Sequence, residues 1–362
     1  MISAWTKWCL FLSSAFHGIS YIECFSRPHR ASLFASLHKN DHFQFNEKAL
    51  PLSSENQFSP LLNGDIFFDR RKFLRGFVSS FVISSAISTK SYASTKNPQT
   101  GILLPSEGEI ESAIPTYWDE KDNPFASGSG STDNQLGNTD SSMFTRLDKT
   151  SDSIFYKDAR FVEHVDESAV KTMTNYISSS DILSMNDAVL DLCSSWTSHI
   201  DVSTREKLQL RRVSGLGMNA EELKKNEVLT DYIVQDLNSD ANPKLPYESE
   251  SFNVVLCQLS IDYLIHPLEV MKEISRVLKP GGKVVILFSN RLFLSKAVGI
   301  WTGADDIDHA YIVGSYLHYS SAGFENIKAK DLSSRKKGRG EDRPIIGDPL
   351  YAVTATINGR AT

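Results

Sequence analysis

The sequence predicts an α/β fold, a Rossmann-like, seven-stranded and mostly parallel sheet with helices on both faces. The first observation is the stretch 245–288, in which an apolar strand, a helix and a second apolar strand follow one another. The second is that both apolar runs, 254–259 and 283–288, are short and continuous, which is typical of strands buried on both faces. Between them Pro280 and two glycines stop the helix, because proline cannot continue it. Such a strand–helix–strand unit indicates a parallel sheet.

The third observation is a series of similar apolar runs before and after this unit. In chain order the other predicted strands are 188–193, 212–216, 231–237, 323–329 and 350–356. The last strand is expected to run antiparallel to the others. Ligands of such sheets bind at the carboxyl ends of the strands, where the strand order reverses. We therefore look for a functional site at that edge.

Helices fit between the strands. Asp166 suits the N-cap of a helix, and Asn219 suits the N-cap of a second helix over 220–226. Pro267 suits the first turn of the helix in the unit described above. We expect the helix after Asp166 to cover the front of the ligand site. Its predicted buried stripe is Ala169, Val170, Met173 and Ile177, and that of the third helix is Leu268, Met271, Ile274 and Leu278.

The composition of the chain limits the classes of partner that it can be expected to bind. The chain has 362 residues, 41% of them hydrophobic, enough for a full core. The formal net charge is -6, so a basic surface that follows a phosphate backbone is not expected, and neither is a nucleic-acid partner. The four cysteines have no zinc-type spacing.

Several segments of the chain resemble segments of the class I S-adenosylmethionine-dependent methyltransferases. The segment LPYESESFNVVLCQLSIDYL, followed by EISRVLKPGGKVVI, is similar to what that family carries around its fourth and fifth strands. The segments DLCSSWTSH, GLGMN and SNR together resemble a narrower branch, the plastid methyltransferase-like proteins of plants and algae. The resemblance covers about residues 155–356. It implies S-adenosyl-L-methionine as cofactor.

The family pattern also implies where the cofactor binds. Its amino acid end lies over a Gly-rich turn after strand one, an acid ending strand two binds the ribose, and an Asp after strand three binds the adenine amino group. Here Cys193, Ser195 and Thr197 stand where the family has glycine, and Gly217 stands at the acid position. Asp236 matches the adenine position, with an N-cap or turn role as its alternative. The cofactor-binding residues that the resemblance implies are Asp191, Cys193, Ser195, Gly217, Asn219, Asp236, Leu237 and Gln258.

No catalytic residue is assigned. Asn290 and Arg291, beyond strand five, are candidates for an acceptor pocket together with Trp301 and His309, although loop capping explains Asn290 equally well. His199 either faces the pocket or lies on the surface. Asp191 is expected to brace the turn through backbone N–H groups, which is a structural role.

Two cysteines suggest a cross-link. Cys193 ends strand one and Cys257 lies near the end of strand four, and these strands are neighbours in the predicted sheet. Their Cα atoms are expected within disulfide range, with two buried thiols as the alternative.

The first hundred residues are interpreted as targeting segments and a linker. Residues 1–24 fit a signal peptide and 25–68 a plastid transit region, a combination that looks like the presequence of algae with complex plastids. Residues 69–93, with Arg70 and Arg71 before a mild apolar run, resemble a twin-arginine thylakoid export signal, or else a helix that packs on the domain or lies on a membrane. A flexible linker, 94–153, then leads to the methyltransferase-like domain, 154–362.

Two functions stay open. One is a plastid S-adenosylmethionine-dependent methyltransferase, in the stroma or in the thylakoid lumen, acting on an unknown small-molecule or protein acceptor. The other is an inactive methyltransferase fold that serves as a binding or assembly protein at the thylakoid. A Rossmann dehydrogenase ranks third, because no Gly-x-Gly-x-x-Gly follows strand one.

Overall fold

The structure is a computed structural model that describes residues 95–96, 103–104, 107–115, 118–120, 123–125, 143–339 and 343–358. The predicted targeting segments, 1–24, 25–68 and 69–93, lie outside the described residues. A two-residue antiparallel pair joins Thr95–Lys96 to Leu103–Leu104. No helix among the described residues is long and apolar enough to cross a membrane.

One seven-stranded sheet organises the described part of the chain. Its strands are β1 (Ala188–Ser194), β2 (Arg212–Gly217), β3 (Asp231–Val234), β4 (Phe252–Gln258), β5 (Leu278–Phe288), β6 (Phe324–Asp331) and β7 (Tyr351–Ile357). They lie in the order β3-β2-β1-β4-β5-β7-β6, and only β7 runs antiparallel to its neighbours. The predicted fold class is confirmed. The strand order reverses between β1 and β4, so the carboxyl ends of these two strands flank the expected site.

Seven α-helices accompany the sheet within the described ranges. They are α1 (Glu107–Ala113), α2 (Asp152–Phe155), α3 (Glu167–Ile177), α4 (Val202–Leu208), α5 (Ala220–Lys225), α6 (Pro267–Val277) and α7 (Asp306–Tyr319). The predicted caps form as expected. Asp166 Oδ1 accepts a hydrogen bond from Ala169 N at 2.9 Å, and Asn219 Oδ1 accepts from the backbone of α5. These side chains satisfy N–H groups that have no partner inside the helix.

The end of α6 differs from the sequence expectation. Leu278 does not extend the apolar stripe of the helix, because the helix ends at Val277 and Leu278 begins β5 by pairing with Phe252. The Pro-Gly segment therefore lies within β5, where the pairing with β4 is interrupted between Leu278 and Lys283. Gly281, with a φ of 75°, takes the left-handed conformation in this interruption.

The sheet is covered by apolar side chains on both faces. On one face β1, β4 and β5 pack against α6 and α7, with Leu192, Cys257 and Tyr316 in one continuous core. On the other face the same strands pack against α3, whose Met173 and Ile177 are fully buried. Burial on both faces explains why these strands read as unbroken apolar runs.

Parts of the predicted linker pack on the domain. Ile114 in the segment after α1 contacts Gly314 of α7, where an added Cβ would lie 3.0 Å from the Ile114 side chain. Further along, the buried ammonium of Lys296 lies 3.1 Å from Asp148 Oδ2 and 3.3 Å from Asp152 Oδ1. Arg146 also pairs with Asp152, at 2.8 Å. Buried charges of this kind need partners, which fixes the chain just before α2 against the loop after β5.

A β-bulge interrupts the pairing of β1 with β2. Leu192 pairs with Leu216 and Ser194 pairs with Gly217, so Cys193 is an extra residue in β1. Its φ of 58° lies in the left-handed region. The bulge brings the Ser194 carbonyl against β2, and a Cβ added to Gly217 would lie 2.1 Å from that oxygen. Only glycine fits this position without a shift of the backbone.

We predict that Gly217→Ala destabilises the protein by about 2 to 3 kcal/mol, because the added methyl group meets backbone rather than a flexible side chain. Urea denaturation followed by tryptophan fluorescence measures the change. Gly338→Ala is the matched control, since a Cβ there makes only ordinary contact at 3.7 Å with Arg343. Equal unfolding midpoints for the two variants would contradict the close approach of Ser194 to Gly217.

Candidate functional site

The carboxyl ends of β1 and β4 are held together by the buried carboxylate of Asp191. Ser194 Oγ and Ser198 Oγ donate to its Oδ2 at 2.5 and 2.7 Å, and Gln258 Nε2 donates to its Oδ1 at 2.8 Å. Burial raises the pKa of Asp191, while these three hydrogen bonds oppose the shift. Asp191 thus contacts the turn through side-chain donors on the turn and on β4, where backbone N–H donors were expected.

The turn after β1 is also tied to α5. Ser195 Oγ donates to Glu222 Oε2 at 2.7 Å, and Asn226 Nδ2 donates to Ser195 O at 3.0 Å and to Ser198 Oγ at 2.8 Å. Glu222 is nearly buried, and its other oxygen accepts from Arg160 N at 2.6 Å. Hydroxyl and carboxylate groups therefore fix this turn where the family uses glycine.

The segment between α2 and α3 crosses the same edge of the sheet. Asn219 Nδ2 donates to the carbonyls of Tyr156 and Lys157 at 3.0 and 3.1 Å, and Trp196 Nε1 donates to Val162 O at 3.2 Å. The expectation that α3 itself covers the front of the site is corrected here. The helix packs on a face of the sheet, and the segment before it reaches the turn.

Arg160 places a cation beside this turn. Its guanidinium lies 4.4 Å from the ring centroid of Phe155 and 5.7 Å from that of Phe293, and it donates to Phe155 O at 2.6 Å. His164 contacts Phe293 edge-on, with ring centroids 5.4 Å apart. Burial, and next to it the charge of Arg160, lower the pKa of His164, although Glu163 opposes them. His164 is therefore neutral at pH 7, and Arg160 supplies the positive charge.

The family pattern places an acid at the ribose position and an Asp at the adenine position, and only the adenine position keeps its acid in this chain. At the ribose position Gly217 is buried against the Ser194 carbonyl, which leaves no room for an acidic side chain. At the adenine position Asp236 follows β3 and accepts a hydrogen bond from Asn238 N at 2.8 Å through Oδ1. Its Oδ2 has no hydrogen-bond partner among the described residues. Asp236 is thus a turn former that keeps one oxygen available.

Several predicted site residues lie elsewhere or already have partners. Leu237 is 5% exposed and its side chain belongs to the core. His199 is not on the surface: its Nδ1 lies 2.8 Å from Gln258 Oε1 and its Nε2 lies 3.1 Å from Glu163 Oε2. Its side chain bridges the turn to the segment before α3.

The residues proposed for an acceptor pocket separate into two groups. Asn290 and Arg291 are exposed just after β5, and Arg291 Nε donates to Asp348 Oδ1 at 2.7 Å. Trp301 and His309 are buried and stacked with ring centroids 3.9 Å apart. The first pair lies at the rim of the sheet edge, and the second is part of the core beside α7.

One buried acid was missed by the sequence reasoning. Asp262 lies in the 3₁₀ turn Ile261–Tyr263 just after β4, and it is 4% exposed. Its Oδ2 and the hydroxyl of Tyr316 both lack a partner among the described residues. Burial raises the pKa of Asp262 to about 8. The sequence signal was only that an acid follows β4 within four residues, which is too general to select it.

Within the ranges given above, no group of three or more His, Cys, Asp or Glu side chains is arranged to hold a metal ion.

The sheet order, the braced turn after β1 and the acid after β3 together define a Rossmann-like methyltransferase fold with a modified turn after β1.

Comparison with known proteins gives one family match. Residues 205–286, less than a quarter of the chain, match the family model described as a methyltransferase domain. The matched segment includes β2, β3, β4 and α6 of the sheet described above.

Individual relatives match shorter stretches. A malonyl-[acyl-carrier protein] O-methyltransferase of Marinomonas sp. is 31% identical over 90 residues, which are 25% of this chain and 32% of the relative. A sterol 4-C-methyltransferase of Caenorhabditis elegans is 46% identical over 43 residues, 12% of this chain and 13% of the relative. The chain thus spans a third or less of these relatives. A methyltransferase structure from Aquifex aeolicus has 16% identity and a TM-score of 0.36, covering 53% of this chain and 94% of its own.

The buried acid Asp262 makes the stability of the protein depend on pH, because burial raises its pKa more than hydrogen bonds from its own backbone and from Tyr263 lower it. Its pKa is about 8 when folded and has the ordinary value of 3.8 when unfolded, so between these values the folded state alone holds the proton. We predict that wild-type stability falls relative to Asp262→Asn as the pH rises from 5 to 7, by at most about 1.4 kcal/mol per pH unit. Urea denaturation across this range measures it, with the exposed Asp240→Asn as control. Parallel curves for wild type and Asp262→Asn would show that Asp262 is already ionised in the folded protein.

Proposed function

We propose that this chain binds S-adenosyl-L-methionine at the carboxyl ends of β1 to β4 and transfers its methyl group to an unidentified small-molecule or protein acceptor. The bound cofactor supplies an electrophilic methyl group on a sulfonium. The observation that carries the proposal is Asp236, which stands after β3 with one carboxylate oxygen available, in a sheet of the methyltransferase order.

The turn after β1 supports the proposal. Cys193 keeps a left-handed backbone, with a φ of 58°, at a position where the family has glycine. The backbone can therefore take the conformation that glycine would take here, while the buried Asp191 carboxylate fixes the turn through its hydrogen bonds. Arg160, beside the turn, is suited to the carboxylate at the amino acid end of the cofactor.

The ribose contact must differ from the family pattern. Since Gly217 cannot be replaced by an acid next to the Ser194 carbonyl, the ribose hydroxyls have no carboxylate from β2. Backbone groups of the strand end and of the turn are the donors and acceptors that remain at this position. The protein's contribution to the reaction is then to hold donor and acceptor in line, which is the main requirement of methyl transfer.

Asp262 and Tyr316 support an acceptor site on the β4 side. Both carry buried polar atoms without a partner in the described part of the chain, and such atoms are costly unless a ligand or water binds them. The proposed acceptor presents a polar group to these two side chains. The net charge of -6 makes a nucleic-acid acceptor a poor fit.

Calorimetric titration of S-adenosylhomocysteine into the full chain tests cofactor binding. We expect micromolar affinity, about -8 kcal/mol, weakened at least tenfold, about 1.4 kcal/mol, by Asp236→Asn. The amide keeps the oxygen that caps Asn238 N but turns an NH₂ group toward the adenine amino group. Asp240→Asn is the matched control, because Asp240 Oδ1 makes the same turn bond, to Asn242 N at 2.9 Å.

The outcomes separate the two open functions. Binding that Asp236→Asn weakens and Asp240→Asn leaves unchanged supports the cofactor site. Absence of binding by the wild type at millimolar ligand overturns the enzyme and leaves the inactive binding or assembly protein.

We further propose that residues 1–93 direct the chain to the plastid. Within them, 69–93 carry it towards the thylakoid lumen and into association with the thylakoid. The support is compositional: Arg70 and Arg71 precede a mild apolar run that ends in a small-residue motif at Ala93.

We predict a mature N-terminus near Ser94. Mass spectrometry of protein isolated from its source measures it, and a mature chain that begins before Arg70 would contradict the export signal.

A further inference from the structure

The two cysteines of the described region meet across the centre of the sheet. β1 and β4 are the neighbouring strands between which the strand order reverses, and Leu192 pairs with Cys257. Cys193 is the next residue along β1. Adjacent strands lie about 4.8 Å apart and rise about 3.3 Å per residue, which puts the two cysteine Cα atoms about 6 Å apart. This separation is within the usual range for a disulfide.

The bulge in β1 turns the Cys193 side chain towards its neighbour. In a regular strand Leu192 and Cys193 point to opposite faces, and Cys257 shares the face of Leu192. The left-handed φ of Cys193 breaks this alternation, so that its side chain packs against the same core as Cys257. Both are free thiols in this structure, and both side chains lie in the same core.

We propose that Cys193 and Cys257 form a reversible disulfide that regulates the cofactor site. The oxidant is a small-molecule or protein disulfide. The Cys193 thiolate attacks one sulfur of that disulfide and releases the other as a thiol. The Cys257 thiolate then attacks Cys193 in the mixed disulfide and releases the second thiol. Two protein S–H bonds and one external S–S bond are replaced by one protein S–S bond and two external thiols.

The surroundings of the two thiols set the order of attack. Cys193 is partly exposed, whereas Cys257 is fully buried. Interaction with the Cys193 side chain, and then burial, raise the pKa of Cys257, which keeps it a protonated thiol while the external disulfide reacts with Cys193. An external disulfide therefore meets Cys193 first, and Cys257 acts as the resolving thiol.

Oxidation would change the turn on which cofactor binding depends. The two sulfurs, which are not bonded to each other in this structure, must close to about 2.05 Å to form the disulfide. The next residue, Ser194, is fixed by Asp191 and abuts Gly217, and Ser195 is fixed by Glu222. A movement of Cys193 therefore strains this network or shifts the whole turn. This regulatory step rests on the proposed function, whereas formation of the disulfide does not.

The test uses the full chain with Cys9→Ser and Cys24→Ser, which leaves two cysteines. The protein is equilibrated with oxidised glutathione or with dithiothreitol, and its thiols are counted with Ellman's reagent after denaturation. We expect two free thiols in the reduced form and none in the oxidised form, with a peptide cross-linked through Cys193 and Cys257 in the mass spectrum. Two free thiols after oxidation would overturn the proposal, as would two glutathione adducts without a cross-link.

Calorimetry with S-adenosylhomocysteine then tests regulation. We expect the oxidised form to bind at least tenfold more weakly than the reduced form, with recovery on reduction. Cys257→Ser, which keeps a hydrogen-bonding side chain but cannot form the bond, should show the same affinity before and after treatment with oxidant and dithiothreitol in succession. Equal affinity of both forms of the parent protein would overturn the regulation. No binding in either form would instead count against the proposed function, and the thiol count would still decide the disulfide.

Discussion

The carboxylate of Asp191 determines how the chain leaves the central strand of the sheet. It is almost completely buried, and a buried carboxylate costs several kcal/mol unless hydrogen-bond donors surround it. Ser194 and Ser198 satisfy one oxygen and Gln258 satisfies the other. To bring both serines to one oxygen, the chain must fold back within a few residues. The left-handed conformation at Cys193 makes this possible, and the bulge in β1 is its consequence.

This constraint links two departures from the family pattern that look independent in the sequence. The hydroxyl-rich turn holds itself by side-chain bonds, where glycine would let the backbone approach a ligand directly. The same bulge presses the Ser194 carbonyl onto β2, which excludes any side chain at Gly217. The missing ribose acid is therefore linked to the path of the turn. A side chain at Gly217 requires the Ser194 carbonyl to move.

The central strands β4 and β5 were predictable because they are buried on both faces, so that apolar runs such as 254–259 mark them directly. The caps at Asp166 and Asn219 were predictable because they act within three residues. Leu278 was misassigned because an apolar residue after a helix fits either element until its strand partner is known. The contact of Arg160 with Glu222 joins residues 62 apart in the chain, and the conformation of Cys193 follows from Asp191. Neither this contact nor this conformation produces a pattern among neighbouring residues that can be recognised in the sequence.

The geometry also indicates how affinity for the cofactor would be distributed. A hydrogen bond to a charged group contributes about 1.5 to 3 kcal/mol, and the ribose has lost its carboxylate partner. Under the proposed function, recognition depends on the two ends of the ligand, with Asp236 proposed at the adenine and the turn with Arg160 proposed at the amino acid. A site that depends on few contacts is sensitive to a small displacement of any of them. Cys193 lies in the middle of that turn, so the chemistry of its thiol acts where binding is most easily changed.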